Sequence, residues 1–298
     1  MNNKPDLRFK LVDALLLIMM ALPVALGWFL KVAFVTPSEG IQITGASVFF
    51  TVHLPIQDLP VSEAQVNSWI VIISLFFLCL YITHGIRANV YTRRAVMAEW
   101  AVELVEGLVK SNMGEFFAGM APFVAAILAL SAFSSLMSLI GLFSPTSDLN
   151  IVAGWAILVF ILITYYKMKC GPLHYLKSFA EPVPFLAPLN IISEVATPIS
   201  MAFRHYGNIL SGAVISVLVA EGLAGLSHIL FGWLPGALGD FPFLRIGIPA
   251  VLSIYFDVFS GCLQAFIFAM LTMLYIGGAF SLEDYLARKK AKAKTKKA

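Results

Sequence analysis

Arg204 stands in the middle of an apolar window spanning residues 188 to 221, where an ionised guanidinium is expensive to place and marks function by default. At spacings of three and four residues, Asn190, Ser193, Thr197, Ser200, Arg204, Asn208 and Ser211 fall on one helical stripe. Ile191, Ile192, Val195, Phe203, Ile209 and Leu210 mostly lie elsewhere. A polar stripe of this length faces water, another polar helix or a cavity, because unpaired polar groups in hydrocarbon are costly. Small residues such as Ser193, Ser200 and Ser211 also serve ordinary helix packing when taken singly. The alternatives for Arg204 are a structural pair with a neighbouring helix, or a helix end lying elsewhere than hydropathy puts it. Pro198 within the run predicts a kink.

A second window, 246 to 280, carries a sparser stripe of Ser253, Asp257, Ser260 and Gln264. A carboxyl group inside an apolar span suits proton relay; the alternative for Asp257 is an interfacial site at the outer end of a tilted helix. Glu181 and Glu194 are candidates to line a cytoplasmic exit and equally candidates for the interface, Glu194 lying about 80° round the helix from the Arg204 stripe. Two striped helices joined by a short outer loop form a hairpin whose facing sides could line a wet path interrupted by one fixed positive charge. A passive channel with a central Arg repels cations. A moving partner carboxylate, loaded from one half-path and unloaded into another, would carry the ion past it, and from the residues alone this is one scheme among several.

The elements that must position these residues follow from hydropathy. The 298-residue chain is 59% hydrophobic and 12% charged, with a mean hydropathy of +0.87, far more apolar than a soluble domain at about 25% charged. Windows at 11 to 34, 68 to 86, 117 to 143, 151 to 168, 188 to 221 and 246 to 280 predict six membrane helices in a single membrane domain, 1 to 298, with residues 188 to 280 as the channel hairpin. With the N-terminus inside and sides alternating, 17 of the 20 Lys and Arg lie on the inner side, so both termini are expected in the cytoplasm. Loops 35 to 67, 144 to 150 and 222 to 245 then face outside. Between the second and third spans, residues 91 to 113 read as an amphipathic helix along the cytoplasmic surface, with Glu99, Glu103, Glu106 and Lys110 on one face.

The net charge of +3 reports the basic tail 288 to 298 and implies no nucleic-acid partner. Cys79, Cys170 and Cys262 suggest neither a disulfide framework nor a metal site, and no cofactor is expected. Lys31 and Arg245 lie near helix ends, where their long side chains can snorkel to the interface.

Phe203-Arg204-His205-Tyr206-Gly207-Asn208-Ile209 resembles the signature helix of subunit a of F-type ATP synthases, a pattern of roughly Arg-Leu-Phe/Tyr-Gly-Asn. Gln264 to Phe268 with Leu271-Thr272 and Tyr275-Ile276 is similar to the family's last helix. Pro145 to Asn150 resembles its loop before the fourth helix here, and Pro182 to Asn190 its Pro-rich entry to the Arg helix. The resemblance runs from about Val66 to the end of the sixth span. It implies an all-α polytopic membrane protein whose last two long helices lie strongly tilted against a ring of c subunits. The ring, peripheral-stalk b subunits and the rest of the complex would be partners, the bilayer a bacterial plasma membrane, and ATP chemistry the work of other subunits.

Arg204 would meet the ring carboxylate, drive ion release and block leakage, with Asn208 and Gln264 near the inlet path. The coupling ion, proton or sodium, is left open. His205 departs from the usual Leu and reads as a packing or interface residue. Ala213 stands where many relatives carry a polar group, so the inlet's ionisable group falls to Asp257 alone. The first span, 11 to 34, has no counterpart in the shorter relatives. The runner-up, a self-contained ion-coupled secondary transporter, would need an internal symmetry that the sequence lacks. An intramembrane enzyme would need a motif such as His-Glu-x-x-His or a P-loop, and neither occurs.

Overall fold

Long apolar runs become helices in a membrane because a helix satisfies every backbone N–H and C=O within its own segment. The computed structural model describes residues 7–35, 45–53, 55, 58–87, 93–180, 183–236, 239, 241–283, 285, 286, 288 and 289. Glu181 and most of the basic tail lie outside the described residues. The elements are α1 (Leu7–Phe34), β1 (Val48–Val52), β2 (Leu59–Ser62), α2 (Glu63–Arg87), α3 (Arg93–Met113), α4 (Ala121–Leu136), α5 (Leu149–Cys170), α6 (Pro172–Ser178), α7 (Ala187–Phe231), α8 (Phe243–Ser253) and α9 (Gly261–Gly278). A π-helical segment, Ile254–Ser260, joins α8 to α9.

Six stretches are long and apolar enough to cross a membrane: Leu7–Phe34, Glu63–Ile86, Glu115–Ile140, Leu149–Cys170, Pro184–Phe231 and Phe243–Gly278. The chain is therefore an all-α polytopic membrane protein with one small antiparallel hairpin, β1–β2, that hydropathy did not anticipate. The fifth span runs past residue 221 to Phe231, because Glu221, Gly222, Gly225 and His228 lower hydropathy without ending the helix.

The chain divides into two compact units: Met1–Trp100 with Ala129–Asp148 and Tyr206–Ala265, and Ala101–Leu128 with Leu149–His205 and Phe266–Ala298. In the first unit, α1 packs along α2, and its buried Gly27 lies directly against Ile70. One end is tied by Asp13, which accepts from Arg94 at 2.8 Å and pairs with His84 at 2.9 Å. At the opposite end Lys31 donates to the Gly141 carbonyl at 2.6 Å and pairs with Glu63 at 3.5 Å, while Asn67 donates to the Phe143 carbonyl at 2.8 Å. Gly141 has φ 77, the left-handed conformation that ends the short 3-10 turn Met137–Ile140. The end of α1, the start of α2 and the turn after α4 thus meet, as alternating crossings require.

The second unit has a core of Val109, Met113, Phe117, Val124, Val159, Met201, Phe268 and Met273, all buried, contributed by α3, α4, α5, α7 and α9 and the 3-10 turn Glu115–Met120. Ladders of aliphatic and aromatic side chains of this kind drive helix association in lipid through close packing. Here too the helix ends alternate: Arg288 donates to the Met168 and Lys169 carbonyls, both at 3.1 Å, joining the end of the sixth span to the end of α5.

Candidate functional site

On α7 the polar stripe is largely exposed, and so are Ile191, Ile192, Val195 and Phe203 off the stripe. Ser193, Ser200, Arg204, Asn208 and Ser211 are exposed, and Asn190 and Thr197 half-buried. Thr197 Oγ1 donates to the Ser193 carbonyl at 3.0 Å and Ser211 Oγ to the Gly207 carbonyl at 2.6 Å, so several hydroxyls turn back on their own helix. α7 continues through Pro198 as one helix. Among the described residues Arg204 has no carboxylate within ion-pair distance and no hydrogen bond. Next to it, His205 points the other way and is fully buried against Trp155 and Phe268, with ring centroids 6.2 and 5.3 Å away.

In the first unit a polar region joins α7 to the π-helical segment. Asn208 Nδ2 donates to Ser260 Oγ at 2.9 Å, which brings the two predicted stripes into direct contact. Gly212 on α7 makes room for Phe256: a Cβ there would stand 3.0 Å from its ring. Asp257 lies in the π-helical segment, where i→i+5 bonding adds a residue per turn and re-aims side chains, a feature frequent at functional sites. Asp257 is half-buried there. Ser253 is half-buried, and Gln264 is buried at 4% exposure. Arg245 pairs with Glu221 at 3.1 Å, so this cation has a partner where the sequence suggested only snorkelling.

The second unit holds another polar region, a cavity of about 350 Å³ lined by Lys167, Asn190, Ser193, Glu194 and Thr197 with apolar residues of α5 and α9. Four sequence candidates therefore converge on one space. Glu194 Oε2 lies 2.9 Å from Lys167 Nζ, and Oε1 accepts from the Tyr175 hydroxyl at 3.0 Å. Burial and the Glu194 carboxylate push the Tyr175 phenol up to about 12, so it remains a donor at neutral pH. Asn190 Nδ2 donates to the Phe179 carbonyl at 2.8 Å, tying the start of α7 to the segment after α6. Lys167 and Tyr175 were not singled out by sequence; the one available signal was a Lys in the last turn of an apolar span.

The family model described as ATP synthase A chain matches residues 65–277. The chain belongs to the ATP synthase A chain family. Among its relatives, the ATP synthase subunit a of Legionella pneumophila subsp. pneumophila (strain Philadelphia 1) is 26% identical over 228 residues, covering 76% of this chain and 90% of the relative. That of Bacillus pumilus (strain SAFR-032) is 34% identical over 205 residues, 64% of this chain and 81% of the relative. That of Desulforamulus reducens (strain MI-1) is 35% identical over 181 residues, 58% of this chain and 62% of the relative. Members of the ATP synthase A chain family are non-catalytic membrane subunits, and this chain is a multi-pass membrane protein of that kind. The matched range takes in α7 to α9 and leaves out α1 and the β1–β2 hairpin.

Proposed function

We propose that this chain is the stator subunit that couples proton or sodium translocation to rotation of a c ring in an F-type ATP synthase of the bacterial plasma membrane. The observation that carries the reading is Arg204, exposed in mid-span on an apolar helix with no countercharge among the described residues. A guanidinium stays protonated at any physiological pH, and in lipid it needs an anion. A ring carboxylate passing Arg204 supplies one: the fixed positive charge stabilises the carboxylate anion, releases its bound ion and closes the direct path between the two faces.

On this reading Asp257, with Asn208, Ser260, Ser253, Gln264 and Ser211, forms the outer half-channel that loads the ring. The cavity holding Asn190, Ser193, Glu194 and Thr197 forms the cytoplasmic one, with Ser200 leading toward Arg204. The length of α7 supports a strongly inclined course along the ring. Its 45 residues extend about 68 Å at 1.5 Å per residue, more than twice a hydrocarbon core of about 30 Å. The peripheral-stalk b subunits hold the chain against the torque, and both termini lie in the cytoplasm.

The test is ion-driven ATP synthesis by the assembled complex in vesicles, wild type against Arg204→Ala, with sodium varied at fixed pH. Synthesis lost in the variant while ring and stalk co-purify supports the reading, and sodium dependence names the ion. Synthesis at the wild-type rate in Arg204→Ala would sink it.

A further inference from the structure

Lys169 stands in the last turn of α5 with four aromatic rings around its ammonium. The centroids of Phe116, Tyr165, Tyr166 and Tyr285 lie 5.9, 5.5, 5.6 and 5.7 Å from Nζ. Ring faces attract a cation without neutralising it, so the ammonium is held in place with its charge intact. Arg288 approaches from beyond α9, and its bonds to the Met168 and Lys169 carbonyls both leave from Nη1. A guanidinium carries five N–H groups in a planar fork, which leaves the donors on its other nitrogens for a further partner. Lys169, Arg288 and Lys289, with Tyr285, line a cavity of about 290 Å³, and no acidic residue lines it among the described residues. Three like charges around one space repel one another, and an anion between them reverses the sign of that energy.

The depth of the cavity narrows the choice of anion. The fourth and sixth spans both end beside it, with Cys170 Sγ donating to the Ser281 carbonyl at 3.6 Å, so it lies where hydrocarbon gives way to headgroups. Three tyrosines fit that level, since Tyr collects at membrane interfaces. On the segment that carries Arg288, Leu282 and Leu286 stand one turn apart and are 46% and 44% exposed. A free phosphate ion would use only the cations, whereas a phospholipid uses the cations for its headgroup and the leucines for its chains. The residues that follow, Lys290, Lys292 and Lys294, carry the same sign of charge as the cavity wall and strengthen its pull on an anion.

We propose that Lys169, Arg288 and Lys289 bind the phosphate of an acidic phospholipid, which bridges the ends of the fourth and sixth spans at the membrane interface. The experiment is photo-crosslinking of the full chain, in neutral detergent micelles, with a photoactivatable phosphatidylglycerol, the labelled peptides being located by mass spectrometry. Label falls on residues 282 to 289 and on the end of α5. Excess unlabelled phosphatidylglycerol suppresses it, while phosphatidylcholine and millimolar inorganic phosphate do not. Lys169→Gln with Lys289→Gln lowers labelling there about twentyfold, at roughly fivefold per charge, and leaves the Arg288 bonds to α5 in place. Lys169→Arg with Lys289→Arg keeps both charges and stays within about twofold of wild type, as does Lys10→Gln, which removes an exposed charge from α1. Suppression by phosphatidylcholine or by inorganic phosphate, or undiminished labelling in the double Gln variant, overturns the proposal. Labelling lost equally in the double Arg variant overturns it too, because the lysines would then be holding the fold and not the lipid.

Discussion

Glu194, beside the stripe of α7, and Asp257, within the second stripe, both stand on membrane-spanning segments, yet their surroundings differ. Glu194 has a cation at 2.9 Å and a phenol at 3.0 Å, so its charge is countered where it sits. Asp257, half-buried in the π-helical segment, has no cation within ion-pair distance among the described residues. A fixed countercharge favours the ionised form of an acid, whereas an acid without one exchanges its proton more readily. On the proposed reading the difference gives the two carboxylates unlike tasks: Glu194 would shape the field of a polar cavity, and Asp257 would pass protons.

Arg204 stands apart from both acids, and Arg204→Ala carries the largest expected effect: coupled pumping falls below detection while the complex still assembles. A comparable loss from either acid variant would break the distinction between coupling charge and pathway. Asp257→Asn comes next, lowering proton uptake about a hundredfold, the scale of a lost acid–base group. Glu194→Gln should lower it no more than about threefold, because the amide keeps an acceptor for the Tyr175 hydroxyl and the proposed reading gives Glu194 no proton to pass. If the two acid variants prove equal in vesicle assays, the contrast between them fails.

Lys167→Met sharpens the same contrast through stability: it leaves Glu194, with its side chain 12% exposed, without a countercharge, and should cost roughly 2 kcal/mol more than Glu194→Gln in denaturant unfolding of the purified subunit. Smallest is Ser260→Ala, about twofold on uptake, with the loss absent in an Asn208→Ala background because the two share one hydrogen bond.

Hydropathy located all six spans because the cost of exposing a polar backbone to lipid is written in every residue of a run. Arg204 and the stripe around it were legible for the same reason, since a charge in such a run stands out. The contact between Asn208 and Ser260 could be anticipated from periodicity on two neighbouring helices. Periodicity could not reach the π-helical segment at Asp257, since a single added residue per turn leaves no compositional mark. The β1–β2 hairpin escaped notice because its strands are short and mostly exposed, without the alternation that a half-buried strand leaves. Lys31 read as a snorkelling cation until the structure paired it with Glu63.

The most direct test of the central claim is ATP-driven proton uptake by vesicles carrying the intact complex with Arg204→Ala, measured beside the passive proton permeability of the same vesicles. The account predicts that ATP-driven uptake vanishes and passive permeability rises, because the charge that separates the half-channels is gone. Uptake at the wild-type rate with unchanged permeability would contradict it.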